Sequence, residues 1–105
     1  MAVSREVKEG TLQQGVDEAI YWKLTTTPWG STPTAVAVTA FARSASATWT
    51  TVTSTVLSGA ASVEGDVITL PKLSALTEGT FYRIEVKFTA GGNIFEAIIP
   101  VQAER

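Results

Sequence analysis

The chain has 105 residues, 45% hydrophobic and 17% charged, with a net charge of −2. That length allows one domain with a modest core, and that hydrophobic share excludes a disordered polypeptide. Cysteine and histidine are absent, which excludes disulfides, thiolate chemistry, histidine acid–base catalysis and imidazole-held metals.

The charges are dispersed rather than gathered into a basic stripe, so nucleic acid is not expected as a partner. No apolar run approaches the roughly 20 residues that span a bilayer, so no membrane partner is expected either. Residues 1–16 read as an N-terminal strand or arm. Val3, Val7 and their neighbours alternate weakly, and the mixed charge of Arg5, Glu6, Lys8 and Glu9 suits an edge. As an arm, residues 2–15 would reach a neighbouring subunit. This polar start carries no signal-peptide apolar core, which predicts synthesis in the cytoplasm.

Residues 17–105 are expected to form the domain. Residues 18–25 (EAIYWKLT) alternate, with Ile20, Trp22 and Leu24 on one face. Trp22 reads as the core tryptophan, the alternative being a ligand-stacking ring. Residues 26–34 (TTPWGSTPT) form a loop broken by Pro28, Gly30 and Pro33. Trp29 lies within it and admits two readings, an exposed interface anchor or a lid folded over one end of the domain. Residues 35–42 (AVAVTAFA) predict a strand, residues 43–47 a loop, and the Thr-rich residues 48–56 a short edge strand carrying Trp49.

Residues 67–70 (VITL) predict a compact strand ended by Pro71, and residues 72–77 a single helical turn. Tyr82, Ile84, Val86 and Phe88 then share one face of a long strand, while Phe81, Arg83, Glu85, Lys87 and Thr89 share the other. Phe81 is out of phase with the core face and is a second candidate interface residue. Gly91-Gly92-Asn93 marks a tight hairpin, and Pro100 suggests an edge position for the last strand.

Ahead of the long strand, Leu76, Gly79 and Tyr82 follow one another at intervals of three. This spacing resembles the tyrosine corner of immunoglobulin-like and fibronectin type III sandwiches, in which a buried Tyr hydroxyl bonds back to the backbone a few residues upstream. The resemblance assigns structural roles to Leu76, Gly79 and Tyr82. The expected fold is an all-β, immunoglobulin-like (fibronectin III-like) antiparallel sandwich of about seven strands.

Candidate chemistry is sparse. Glu85 and Glu96 fall on paired strands, but Lys87 beside them makes a solvated cross-strand charge pattern the simpler account. Glu64 and Asp66 flank Gly65 in a turn that offers too few oxygens for calcium. No catalytic, cofactor-binding or metal-ligating residue is assigned, and no enzyme activity is expected.

The segments D-E…Y…T-T-P-W-G and G-D-V-I-T-L-P-K-L…L-T-E-G-T-F-Y-R-I-E-V-K-F-T-A-G-G-N cover most of the chain from Asp17 onward. They resemble short immunoglobulin-like virion proteins of tailed phages and prophages. The resemblance implies a non-enzymatic structural part of a virion: a capsid decoration, a head–tail connector or a tail component. It implies many copies per particle, other virion proteins as partners, and no cofactor. The alternative is a free-standing carbohydrate- or cell-surface-binding sandwich, which exposed coplanar rings at Trp29 and Trp49 would favour.

Overall fold

The centre of the fold is the hairpin of β10 (Phe81–Ala90) and β11 (Asn93–Glu104), strands of ten and twelve residues. Gly91 and Gly92 turn it with φ of 58° and 81°, the positive pair that a two-residue hairpin requires and that glycine adopts without a Cβ clash. Tyr82, Ile84, Val86 and Phe88 are buried, and so are Phe95, Ala97, Ile99, Val101 and Ala103 across from them. The period of two thus sets both the face and the register.

A computed structural model describes residues 2–6, 12–27, 29–43 and 48–104 of the chain. Strand β4 (Thr34–Arg43) pairs antiparallel with β10, and β5 (Thr50–Thr51) pairs with the far end of β4. On the other side of the hairpin, β1 (Ala2–Glu6) and β2 (Leu12–Gly15) lie in succession along β11. The resulting six-stranded sheet runs β1-β11-β10-β4-β5, with β2 also on β11. Across the core lie a three-stranded sheet, β3 (Lys23–Thr25), β8 (Val67–Thr69) and β7 (Ser62–Glu64), and a two-stranded one, β6 (Leu57–Ser58) with β9 (Lys72–Leu73). Leu24, Val56, Ile68, Leu70, Leu73 and Leu76 from this second layer join the hairpin residues in one buried cluster. The fold is all-β in two layers, with one helical turn, α1 (Thr53–Val56).

Several expectations are corrected. The sheet is mixed rather than antiparallel, because β1 and β2 run parallel to β11. The described residues form eleven strands rather than about seven, most of the surplus being two or three residues long. The described parts of the N-terminal segment, β1 and β2, pair with β11 of their own chain; residues 7–11 lie outside the described residues. Pro100 is not on an edge. It sits where the partner of β11 changes from β1, ending opposite Ile98, to β2, beginning opposite Val101. A missing N–H there leaves no ladder bond unmade.

The Thr-rich segment turns helical after two strand residues. Val52 and Val56 are four apart, the spacing of one helical face, and Val56 is buried. Thr53 Oγ1 also accepts the Ala40 N–H at 3.0 Å, so the side chain continues the edge pairing that the backbone abandons. Residues 72–77 make strand β9 and an irregular stretch rather than a helical turn. Of the strand expected over residues 18–25, only Lys23–Thr25 and an isolated bridge from Ile20 to Leu73 form.

Candidate functional site

The turn leading into β10 has a defined geometry. Gly79 takes φ 78° with open space where a Cβ would stand. Leu76 and Tyr82 are buried, and the Tyr82 hydroxyl accepts the Thr77 N–H at 2.8 Å. One side chain therefore ties the start of the central strand to the loop from the opposite layer.

Trp29 does not project. Its ring is half-buried and stacks on Phe88, with centroids 5.7 Å apart and planes 13° from parallel, and on Phe95 at 6.4 Å. Phe88 and Phe95 oppose each other across the hairpin, 5.7 Å apart. The arrangement is the lid, not the exposed anchor. Offset ring stacks at such distances contribute about 0.5–1.5 kcal/mol per pair beyond the area they bury. Gly30 allows the approach, since a Cβ there would lie 2.7 Å from the Ala90 Cβ.

Asp66 holds this loop down. Its Oδ2 accepts from Thr27 Oγ1 at 2.9 Å, and its Oδ1 accepts from the Thr32 N–H at 3.0 Å. Its carbonyl also accepts the Thr26 N–H at 2.7 Å. Thr32 sits at φ 50°, an outlier for a β-branched residue that persists only where the surroundings hold it. The carboxylate is thus committed to the loop. Among the described residues, no group of three or more Asp and Glu gathers as a metal site would require.

Trp22 is half-buried rather than central. Its Nε1–H donates to Gln14 Oε1 at 2.8 Å, and Gln14 Nε2 donates to the carbonyls of Leu73 at 2.7 Å and Glu18 at 3.0 Å. Gln14 is 1% exposed, so its full satisfaction matters: an unpaired amide at that depth costs about 1–3 kcal/mol. No local signal marks it, because a glutamine in a polar terminal segment reads as surface.

The outward face of the large sheet carries the one concentration of cationic and aromatic groups among the described residues. Register places Arg43 opposite Phe81 and Arg83 opposite Phe41. The Arg43 and Arg83 guanidinium carbons each lie 4.9 Å from the Trp49 ring centroid. Arg43 is also 6.0 Å from the Phe81 ring, and Arg83 is 5.2 Å from Phe41. Phe81 is 37% exposed, as its out-of-phase position requires. A shallow cleft of about 290 Å³ lies here, lined by Gln13, Arg43, Trp49, Phe81, Pro100 and Gln102.

The two arginines differ. Arg83 Nε is 2.9 Å from Glu85 Oε2, but its N–H is not aimed at that oxygen, so the contact is ionic rather than a hydrogen bond. Arg43 is exposed, and among the described residues no carboxylate pairs with it. It is a cation held over aromatic rings. Trp49 is half-buried under both guanidiniums and Trp29 is turned into the core, so the pair of exposed coplanar rings that a sugar platform needs is not formed. Sequence alone named Phe81 and Trp49 but missed Arg43 and Arg83, since only the β4–β10 register brings the four together.

Comparison with known proteins gave no matching family model, no matching curated protein and no matching solved structure. No described helix is long and apolar enough to cross a membrane.

Proposed function

We propose that this chain is a non-enzymatic structural protein of a tailed-phage or prophage virion. In this reading it is an immunoglobulin-like (fibronectin III-like) sandwich acting through protein–protein assembly as a capsid decoration, head–tail connector or tail component. Two things support the reading. The sequence segments quoted above resemble such proteins, and the corner formed by Tyr82 and Thr77 is the kind those sandwiches use. The observation that carries the assembly part is Arg43, which has no carboxylate partner among the described residues and lies over the Trp49 and Phe81 rings beside an open cleft. Arginine and large aromatics are enriched at interface centres, and a guanidinium already held over rings loses little freedom on binding. Its chemistry fits a carboxylate-bearing loop of another virion protein.

The test is the composition of purified particles. Mass spectrometry should find the chain there in many copies, and an Arg43→Ala variant should melt within about 0.5 kcal/mol of the parent, as exposed substitutions do, yet enter particles at reduced copy number. Absence of the parent chain from particles sinks the virion reading. Normal incorporation of a folded Arg43→Ala protein moves the interface elsewhere.

A further inference from the structure

The edge of β4 offers a second surface, independent of the partner proposed for Arg43. The Ala40 N–H donates to Thr53 Oγ1 and its carbonyl accepts the Val52 N–H, so the Ala40 backbone faces away from β10. Strand alternation then points the N–H and C=O groups of Val38 and Val36 the same way. Among the described residues, β5 pairs with β4 only at Phe41 and Ala42, α1 packs alongside the strand, and no backbone hydrogen bond reaches Val36 or Val38 on that side. The opening ends at Ala35, where φ 54° and a register shift against Lys87 and Thr89 bend the strand away.

This stretch lacks the usual protection of an edge. The outer strands of the small sheets are three residues long or shorter. Strand β1 carries Arg5 and Glu6, and the Glu18 carboxylate accepts the Gly15 N–H at the end of β2. From Val36 to Thr39 there is neither a charge nor a proline. Val36 and Val38 are half-buried, packed against the core, and keep part of their apolar surface exposed. An apolar edge of this kind, without charge or proline, is a template for another strand.

We infer that β4 pairs with β4 of a second copy of this chain, antiparallel about a two-fold axis at Ala37. The occupant follows from register. Pairing Val36 with Val38 of the other copy, and Val38 with Val36, matches every open backbone group with another and makes about four hydrogen bonds. Shifting the axis to Val38 would set Val36 against Ala40, whose groups are already taken. Shifting it to Val36 would reach past the bulge at Ala35. The Val36–Val38 contacts close the exposed halves of both side chains, and the same patch serves both copies, as a two-fold interface requires. The contact is small, so the dimer is weak in dilute solution and gains where many copies are held together.

The axis places the two Ala37 side chains opposite each other on the exposed face, with Lys87 across from each on β10. Sedimentation of the parent from about 1 μM to about 1 mM should show mass rising from monomer toward dimer, the range over which weak contacts titrate. Ala37→Lys puts two like charges face to face and should weaken association about fivefold, with an unchanged circular dichroism spectrum and a slightly lower melting temperature, because Lys87 lies opposite the new lysine in each copy. Mixing Ala37→Lys with Ala37→Glu should restore association as a heterodimer. A parent that stays monomeric at the highest concentration overturns the proposal. So does a Lys variant that associates like the parent, or a mixture that associates no better than Lys alone.

Discussion

Replacing Tyr82 by Phe tests the point at which the two layers are tied. The ring stays, so no cavity opens, and the change is confined to one oxygen. That oxygen accepts the Thr77 N–H at 2.8 Å, and the residue bearing it is 4% exposed. Removing the acceptor leaves the N–H unpaired, at about 1–3 kcal/mol for a buried group. Thr77 itself is exposed, so water recovers part of the loss and the lower half of that range applies, about 1–2 kcal/mol. With a urea m-value of about 1–1.5 kcal/mol per molar for a domain this size, the denaturation midpoint should fall by about 1 M. Gly79→Ala offers an internal control. Nothing stands within 4 Å of the added Cβ, so its cost is backbone strain at φ 78°, about 1 kcal/mol. Both changes act on one turn, so the double variant should lose less than the sum. An unchanged midpoint for Tyr82→Phe would mean that the bond contributes nothing and that the ring alone holds the corner.

Two further outcomes follow from the lid. Trp29→Ala should destabilise the domain by about 2–3 kcal/mol, below the value for a fully buried Trp because the residue is only half-buried; a loss under about 0.5 kcal/mol in chemical denaturation would show that the stack on Phe88 and Phe95 is not kept in solution. Asp66→Ala should cost about 1–2 kcal/mol by freeing Thr27 and the Thr32 backbone, and it should raise hydrogen exchange at the Thr32 amide; exchange unchanged from the parent would remove Asp66 as the anchor.

How legible the fold was depended on how far apart the interacting residues lie. The β10–β11 hairpin is written in adjacent residues, alternation on both strands and Gly91-Gly92 between them, and it forms in that register. The corner is legible because Leu76, Gly79 and Tyr82 fall within seven positions. Trp29 was ambiguous because its direction is decided by Phe88 and Phe95, which lie more than half the chain away. The Thr-rich segment misled because threonine favours strands, whereas the decisive spacing was that of Val52 and Val56. Pro100 misled because a missing N–H is harmless on an edge strand and equally harmless where a neighbouring strand breaks. Of the exposed cluster, the outward face of β10 could be read from the sequence. The meeting of Arg43, Trp49 and Arg83 could not, since it requires knowing which strand lies beside which.

The parallel strands on β11 bear on the order in which the chain acquires its shape. The hairpin joins near neighbours and β4 can join it early, but Ala2 must find Ile94, and Leu12 must find Val101. During synthesis, β1 and β2 have no strand to lie against until β11 has been made. Until they dock, one flank of β11 has no cover. Loop closure over such a span is slow relative to hairpin formation, so β1 and β2 dock after the hairpin has formed, and that flank is covered last.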